Sequence, residues 1–126
     1  MKTIKRILLF FIALALSPLL IVSILWSFIK LMIKSKFYQW WERLGAYFLK
    51  SAIALDQLGN VMCQDLFNST LIKDNSNPFG NEDETISSVL GKNLRSNNLT
   101  KAGKVLNYIL NTIDPGHSIN SIEENP

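Results

Sequence analysis

Residues 7–29 (ILLFFIALALSPLLIVSILWSFI) run for 23 positions without a charge. At 1.5 Å per residue a helix of that length crosses the roughly 30 Å hydrocarbon core of a bilayer. This one feature removes the first third of a 126-residue chain from any soluble core. It predicts a membrane anchor over 1–36 with a span at about 7–29, kinked near Pro18, since spanning helices accommodate proline. The rival reading is a cleaved signal peptide, with Lys2, Lys5 and Arg6 ahead of the small-x-small triplet Ala13, Leu14, Ala15. Too few apolar residues precede that triplet, and the apolar run continues well past it, so an uncleaved anchor is the stronger reading.

Charge divides the chain at the same place. Residues 1–50 carry eight Lys or Arg against one acid, and residues 51–126 carry five against nine. The basic excess therefore belongs to the membrane flank, and nucleic acid is not an expected partner. More basic residues follow the run (Lys30, Lys34, Lys36, Arg43, Lys50) than precede it. The positive-inside rule then places the C-terminal region in the cytoplasm of a bacterium, with the anchor in the inner membrane. Phe37, Tyr38, Trp40 and Trp41 follow directly. Trp40 and Trp41, with Lys30, Lys34 and Lys36, suit the headgroup level, where an apolar ring with a polar edge is at home. Cys63 is the only cysteine, so no internal disulfide exists.

The remainder predicts an all-α chain. Phe37, Trp41, Leu44, Phe48, Leu55, Leu58 and Met62 recur at three-four spacing, with most polar residues off that stripe. This reads as a juxtamembrane amphipathic helix over 37–67, its apolar stripe supplying the core of a small domain. Residues 68–80 (NSTLIKDNSNPFG) read as a loop. They open on a glycosylation sequon, Asn68-Ser69-Thr70, repeated in form at Asn98-Leu99-Thr100. Residues 81–122 are expected to form short helices packing on 37–67, and 123–126 a frayed tail. In GNEDETISSVLGK, Asn81 and Glu84 have capping-box spacing, acids crowd the first turn, and Gly91 stands where a left-handed cap would end the helix. Thr100 reads as the N-cap of a further helix running to about Ile113, stopped by Asp114 and Pro115, with a last short turn carrying Ile119 and Ile122.

Three segments together resemble a family of small, uncharacterised proteins of tailed bacteriophages and prophages: Ala54-Leu55-Asp56-Gln57-Leu58-Gly59-Asn60, then Asp83-Glu84-Thr85-Ile86-Ser87-Ser88 with Gly91, then Asp114-Pro115-Gly116-His117. The family pattern is ALDQ-x-x-N, PDETISSR-x-G and D-x-x-H-C, and the resemblance covers about 52–124. The chain departs from it at Glu82 (proline in the pattern), Val89 (arginine) and Ser118 (cysteine). The resemblance implies a phage or prophage origin and no particular reaction.

The candidate site residues are Asp56, Gln57, Asn60, Asp83, Glu84, Thr85, Ser87, Ser88 and His117, read as an internal polar network or a partner-binding patch. A zinc site on His117 and Cys63 lacks the pattern's second sulfur, and neither a metal nor a cofactor is expected. An enzyme using His117 as base has no nucleophile elbow or phosphate-cradling glycine loop behind it. The expectation is a single-pass, non-enzymatic interaction module whose partners are the bilayer and an unidentified protein, with self-association open. The alternative is a small lysis or envelope-disrupting membrane protein of the holin or spanin-accessory kind.

Overall fold

The structure, a computed structural model, describes residues 2–34 and 36–126, without the side chain of Tyr38, whose interfacial role falls outside what is described. Among the described residues the chain is all-helical, with no strand. The helices are α1 (Lys2–Leu16), α2 (Pro18–Lys34), α3 (Phe37–Met62), α4 (Gln64–Thr70), α5 (Ile86–Arg95), α6 (Lys101–Ile113) and α7 (His117–Asn120). Two compact units result, Met1–Phe48 and Leu49–Pro126, and the division falls within α3.

In the first unit the expected single span is broken. Pro18 has no N–H to give Leu14, and its ring crowds that carbonyl, so α1 ends and α2 begins with the proline in its first turn. The backbone N–H of Ser17 donates to Leu14 O at 3.1 Å and that of Leu20 to Ser17 O at 2.9 Å, and the two helices meet at a 42° bend. No single helix is long and apolar enough to cross a membrane, whereas the bent pair qualifies by length and composition. Lys30, Lys34 and Lys36 are exposed. Trp40 is half-buried in an aromatic group, edge-on to Phe28 at 5.6 Å and to Trp41 at 4.8 Å between ring centroids. Its indole Nε1 is buried without a hydrogen-bond partner.

The second unit corrects the expected core. Of the α3 stripe only Leu44 is buried, and Phe37, Trp41, Phe48, Leu55, Leu58 and Met62 are all at least half exposed. The core is instead Leu71, Ile72, Phe79, Val89, Leu90 and Leu99, with Phe67, Ile86, Leu94, Leu106 and Leu110 packed on it. Three of those six buried residues come from the stretch read as a polar loop. The helix expected over 37–67 breaks at Cys63, and α4 carries on to Thr70, shortening that loop. Ile72 and Leu99 form an isolated antiparallel bridge, which satisfies extended backbone groups beside the core.

Helix α5 starts later than expected. Thr85, not Asn81, is its N-cap, with Thr85 Oγ1 accepting from Ser88 N at 3.1 Å. Asn81 instead builds a turn, its Oδ1 accepting from Asp83 N at 3.1 Å. Gly91 is not a C-cap. It lies buried inside α5, where a Cβ would run into the Ser118 carbonyl and the Ile122 side chain, so glycine lets α7 close on α5. Helix α6 is capped by Thr100, whose Oγ1 accepts from Gly103 N at 3.2 Å, and it ends at Ile113. The tail is not free, because Glu123 and Glu124 both bond back to α5 residues or its cap.

Candidate functional site

Asp56, Gln57 and Asn60 stand one and three residues apart on α3, which places them together on one side of the helix. Each reaches the segment that leads into α5. Asn60 is fully buried, and its Nδ2 donates to Asn81 O at 3.0 Å and to Glu84 O at 2.8 Å. Its Oδ1 accepts from Gly80 N at 3.1 Å, so one amide satisfies three backbone groups of a sharp turn. Gly80 sits at φ +125°, a conformation open to glycine and costly for other residues. Gln57 Nε2 donates to Asp83 O at 3.1 Å. Asp56 Oδ2 accepts from Ser87 Oγ at 3.0 Å and lies 3.4 Å from Ser87 N, an acid placed at the positive end of α5.

A second layer lies behind the first. Glu84 Oε1 accepts from Ser88 Oγ at 2.6 Å and pairs with Lys92 at 2.5 Å, with both side chains largely buried. Ser88 Oγ in turn accepts from Glu123 N at 2.8 Å. Glu123 Oε1 accepts from Thr85 Oγ1 at 3.1 Å and Thr85 N at 3.3 Å. The Glu84 carboxylate thus has two partners in a dry setting, the condition under which a buried ion pair offsets its desolvation. Asp83 contributes only backbone groups, its carbonyl to Gln57 and its N–H to Asn81, and its side chain is exposed.

His117 completes the group. Its Nδ1 lies 2.9 Å from Asp114 Oδ2 and its Nε2 lies 3.1 Å from Ser87 Oγ. A carboxylate only accepts, so Nδ1 carries the proton toward Asp114. Ser87, His117 and Asp114 therefore have the order of an acyl-transfer relay. Ser87 and His117 border a groove of about 670 Å³ with Asp56, Leu49, Ile53 and Leu110 on its walls.

Two features of the hydrogen bonding bear on that relay. Ser87 has one hydroxyl proton, and Asp56 competes with His117 for it at the shorter distance. The amides that would hold an oxyanion are committed: Ser87 N faces Asp56, Ser88 N serves Thr85 Oγ1, and Val89 N serves Thr85 O. What the arrangement does in this state is join α3, α5 and the start of α7 through one serine.

Sequence reasoning missed four asparagines and one acid. Asn68 forms a two-way amide clamp with Phe79, donating to its O at 3.0 Å and accepting from its N at 2.8 Å. Asn93 is fully buried, donating to Asn77 O at 2.7 Å, and Asn98 Nδ2 donates to Asn93 Oδ1 at 2.7 Å. Asn81 and Glu123 were read as a cap and as tail. The sequons thus coincide with asparagines whose amides are engaged inside the domain. The available signal was Asn93, which falls at an apolar position of α5, three and four residues after Leu90 and Val89. Among the described residues no three of His, Cys, Asp and Glu come together in a way that could hold a metal ion. Compared with known proteins, the chain matches no family model, no curated protein and no solved structure.

Proposed function

We propose that the chain is a membrane-anchored, non-enzymatic interaction module of phage or prophage origin, held in the bacterial inner membrane by residues 1–36 with its C-terminal unit in the cytoplasm. The observation that carries this reading is where the polar groups are spent. Asp56, Gln57, Asn60, Glu84, Thr85, Ser87 and Ser88 all bond within the chain, while large apolar side chains stand exposed along α1, α2 and α3. A chemical site needs its reactive groups turned toward a ligand, whereas an anchor and a docking surface need apolar area turned outward. The basic residues after α2 and the neighbouring tryptophans suit the boundary between the two environments. The origin rests on the three motifs shared with the phage family.

The full-length protein is expected to pellet with membranes and to resist carbonate extraction, and recovery in the soluble fraction would sink the anchor. Sidedness is read by reporters fused after Pro126. An active alkaline phosphatase there would put the C-terminal unit in the periplasm. Exchanging Ser87 for alanine separates the chemistry: labelling of wild type, and not of this variant, by a fluorophosphonate probe would overturn the non-enzymatic reading.

A further inference from the structure

Leu49, Ala52, Ile53 and Asp56 follow one another on α3 at three-four spacing, which makes them one ridge about two turns and 10 Å long. That ridge borders the groove of about 670 Å³ together with Leu110 of α6 and the start of α7, all within the second compact unit. The groove is an open trough, since Leu49 is 63% exposed and Ile53 44%. Its acids meet the N-terminus of α5, where Asp56 accepts from Ser87 and Glu123 accepts from Thr85. Three other acids of the domain are each matched to a base: Glu84 to Lys92, Glu124 to Arg95 and Asp114 to His117. Among the described residues Asp56 and Glu123 have no ion pair, and no Lys or Arg lines the groove. The amides that open α5 offset about half a charge. Roughly one and a half negative charges are therefore left beside an apolar trough.

We propose that this groove is the docking site for a helix of another protein that carries a lysine or arginine among apolar side chains. The inference rests on the reading of the chain as an interaction module, and names the surface and the chemistry it selects. Charge complementarity selects the cation. Asp56 spends Oδ2 on Ser87 and Glu123 spends Oε1 on Thr85, so each keeps a second oxygen for an ammonium or guanidinium without loosening the fold. An acidic or wholly apolar segment would cover the same carboxylates and leave them unpaired, which is how such a site discriminates. Shape selects a helix over a free amine. A small ligand is held by burying about 70–90% of its surface, which an open trough does not do. A trough two turns long does cover one face of a helix, with anchors at i, i+3, i+4 and i+7.

Methyl NMR on the full chain, labelled at isoleucine and leucine and held in phosphatidylcholine nanodiscs, tests this. The probe is a capped helical peptide of about twelve residues, with leucine and alanine on one face, glutamine on the other and one central lysine. It should shift the Ile53 and Leu110 methyl signals saturably. Peptides with norleucine or glutamate in place of the lysine should bind at least about tenfold more weakly. Asp56→Asn with Glu123→Gln keeps the oxygens that accept from Ser87 and Thr85, and should bring the lysine peptide down to the norleucine level. Ile53→Lys, on an exposed wall, should weaken the lysine peptide by a similar factor, and decides the matter where the double variant does not fold. Equal affinity for the lysine and glutamate peptides, or no shift at Ile53 and Leu110, overturns the proposal. So does n-butylammonium chloride saturating the same shifts as tightly as the peptide, which would assign the groove to a free amine. An Ile53 methyl shielded from a soluble gadolinium chelate before peptide is added also refutes it, because the chain itself or a second copy would then cover the groove. Protein that leaves the discs on gel filtration marks failure of the anchor, and the same titration on it still reads the groove.

Discussion

Replacing Asn60 by aspartate changes one NH₂ into an oxygen and leaves shape and volume almost untouched. The wild-type amide donates to Asn81 O and Glu84 O and accepts from Gly80 N. In the variant only the last bond survives, and the new carboxylate oxygen faces two carbonyl oxygens in a position with no solvent exposure. Two lost bonds are worth about 1 kcal/mol each, and stranding the buried Glu84 carbonyl adds about 1–3 kcal/mol. The total of about 3–5 kcal/mol is a large part of the roughly 5–15 kcal/mol that holds a domain folded. Urea titration of the full chain in detergent micelles, followed by circular dichroism, measures the loss. Amide exchange at Val89 and Leu90 reports the core locally. A variant within about 0.5 kcal/mol of wild type, the range of ordinary surface changes, would refute the claim that this amide closes the turn.

Gly91→Ala should cost about 1–3 kcal/mol in the same titration, because the added methyl meets the Ser118 carbonyl and Ile122. Ser118→Ala should stabilise by about 1 kcal/mol, since the Ser118 hydroxyl is buried without a partner; a lower urea midpoint would contradict this. Asp83→Ala should leave stability within about 0.5 kcal/mol, as its side chain is exposed and Gln57 uses only its carbonyl. Acid should destabilise the domain through two surface carboxylates. Asp74 is held below its usual range first by the Ser76 hydroxyl, and Glu124 first by its hydrogen bond from Arg95. A lowered folded value adds stability above the unfolded value, and that stability is lost as pH falls through the folded one. The urea midpoint should therefore drop below about pH 4, and Asp74→Asn should flatten that slope.

How far the sequence was legible differs from element to element, for physical reasons. Thr100 could be found because its cap is local, a hydroxyl three residues before the amide it accepts from. The α5 start was misplaced because Asn81 and Thr85 both satisfy local rules. Asn60, more than twenty residues away, decides between them by claiming the carbonyls of Asn81 and Glu84. Gly91 looked like a stop because a glycine after an apolar run usually is one, and only the approach of α7 shows otherwise. The α3 stripe was read correctly as a face and wrongly as the core, since periodicity reports that a face will be covered and is silent about what covers it. The candidate polar residues could be named from the motifs, but not the geometry that spends Asp83 through its carbonyl and Ser87 through its hydroxyl.

The balance of polar and apolar burial follows from this. A core of six buried apolar side chains is small, and small cores give a domain little to distinguish one packing from another. Here fully buried positions include Asn60, Asn93 and Ser88, and each hydrogen bond they make is directional where apolar contact is not. A buried amide left unpaired in an alternative packing would forfeit about 1–3 kcal/mol, so competing arrangements of the 71–85 segment are penalised several times over. That segment has neither helix nor strand to organise it, yet it supplies Leu71, Ile72 and Phe79 to the core. Asn68 fixes Phe79, Asn60 fixes Gly80, and Asn98 takes Asp74 N and donates to Asp74 O. Each clamp uses a side-chain amide in place of the neighbouring strand that would otherwise pair those backbone groups. The arrangement also frees α3 from supplying this apolar core: three polar side chains tie it to the α5 side of the domain, and of its apolar stripe only Leu44 is buried.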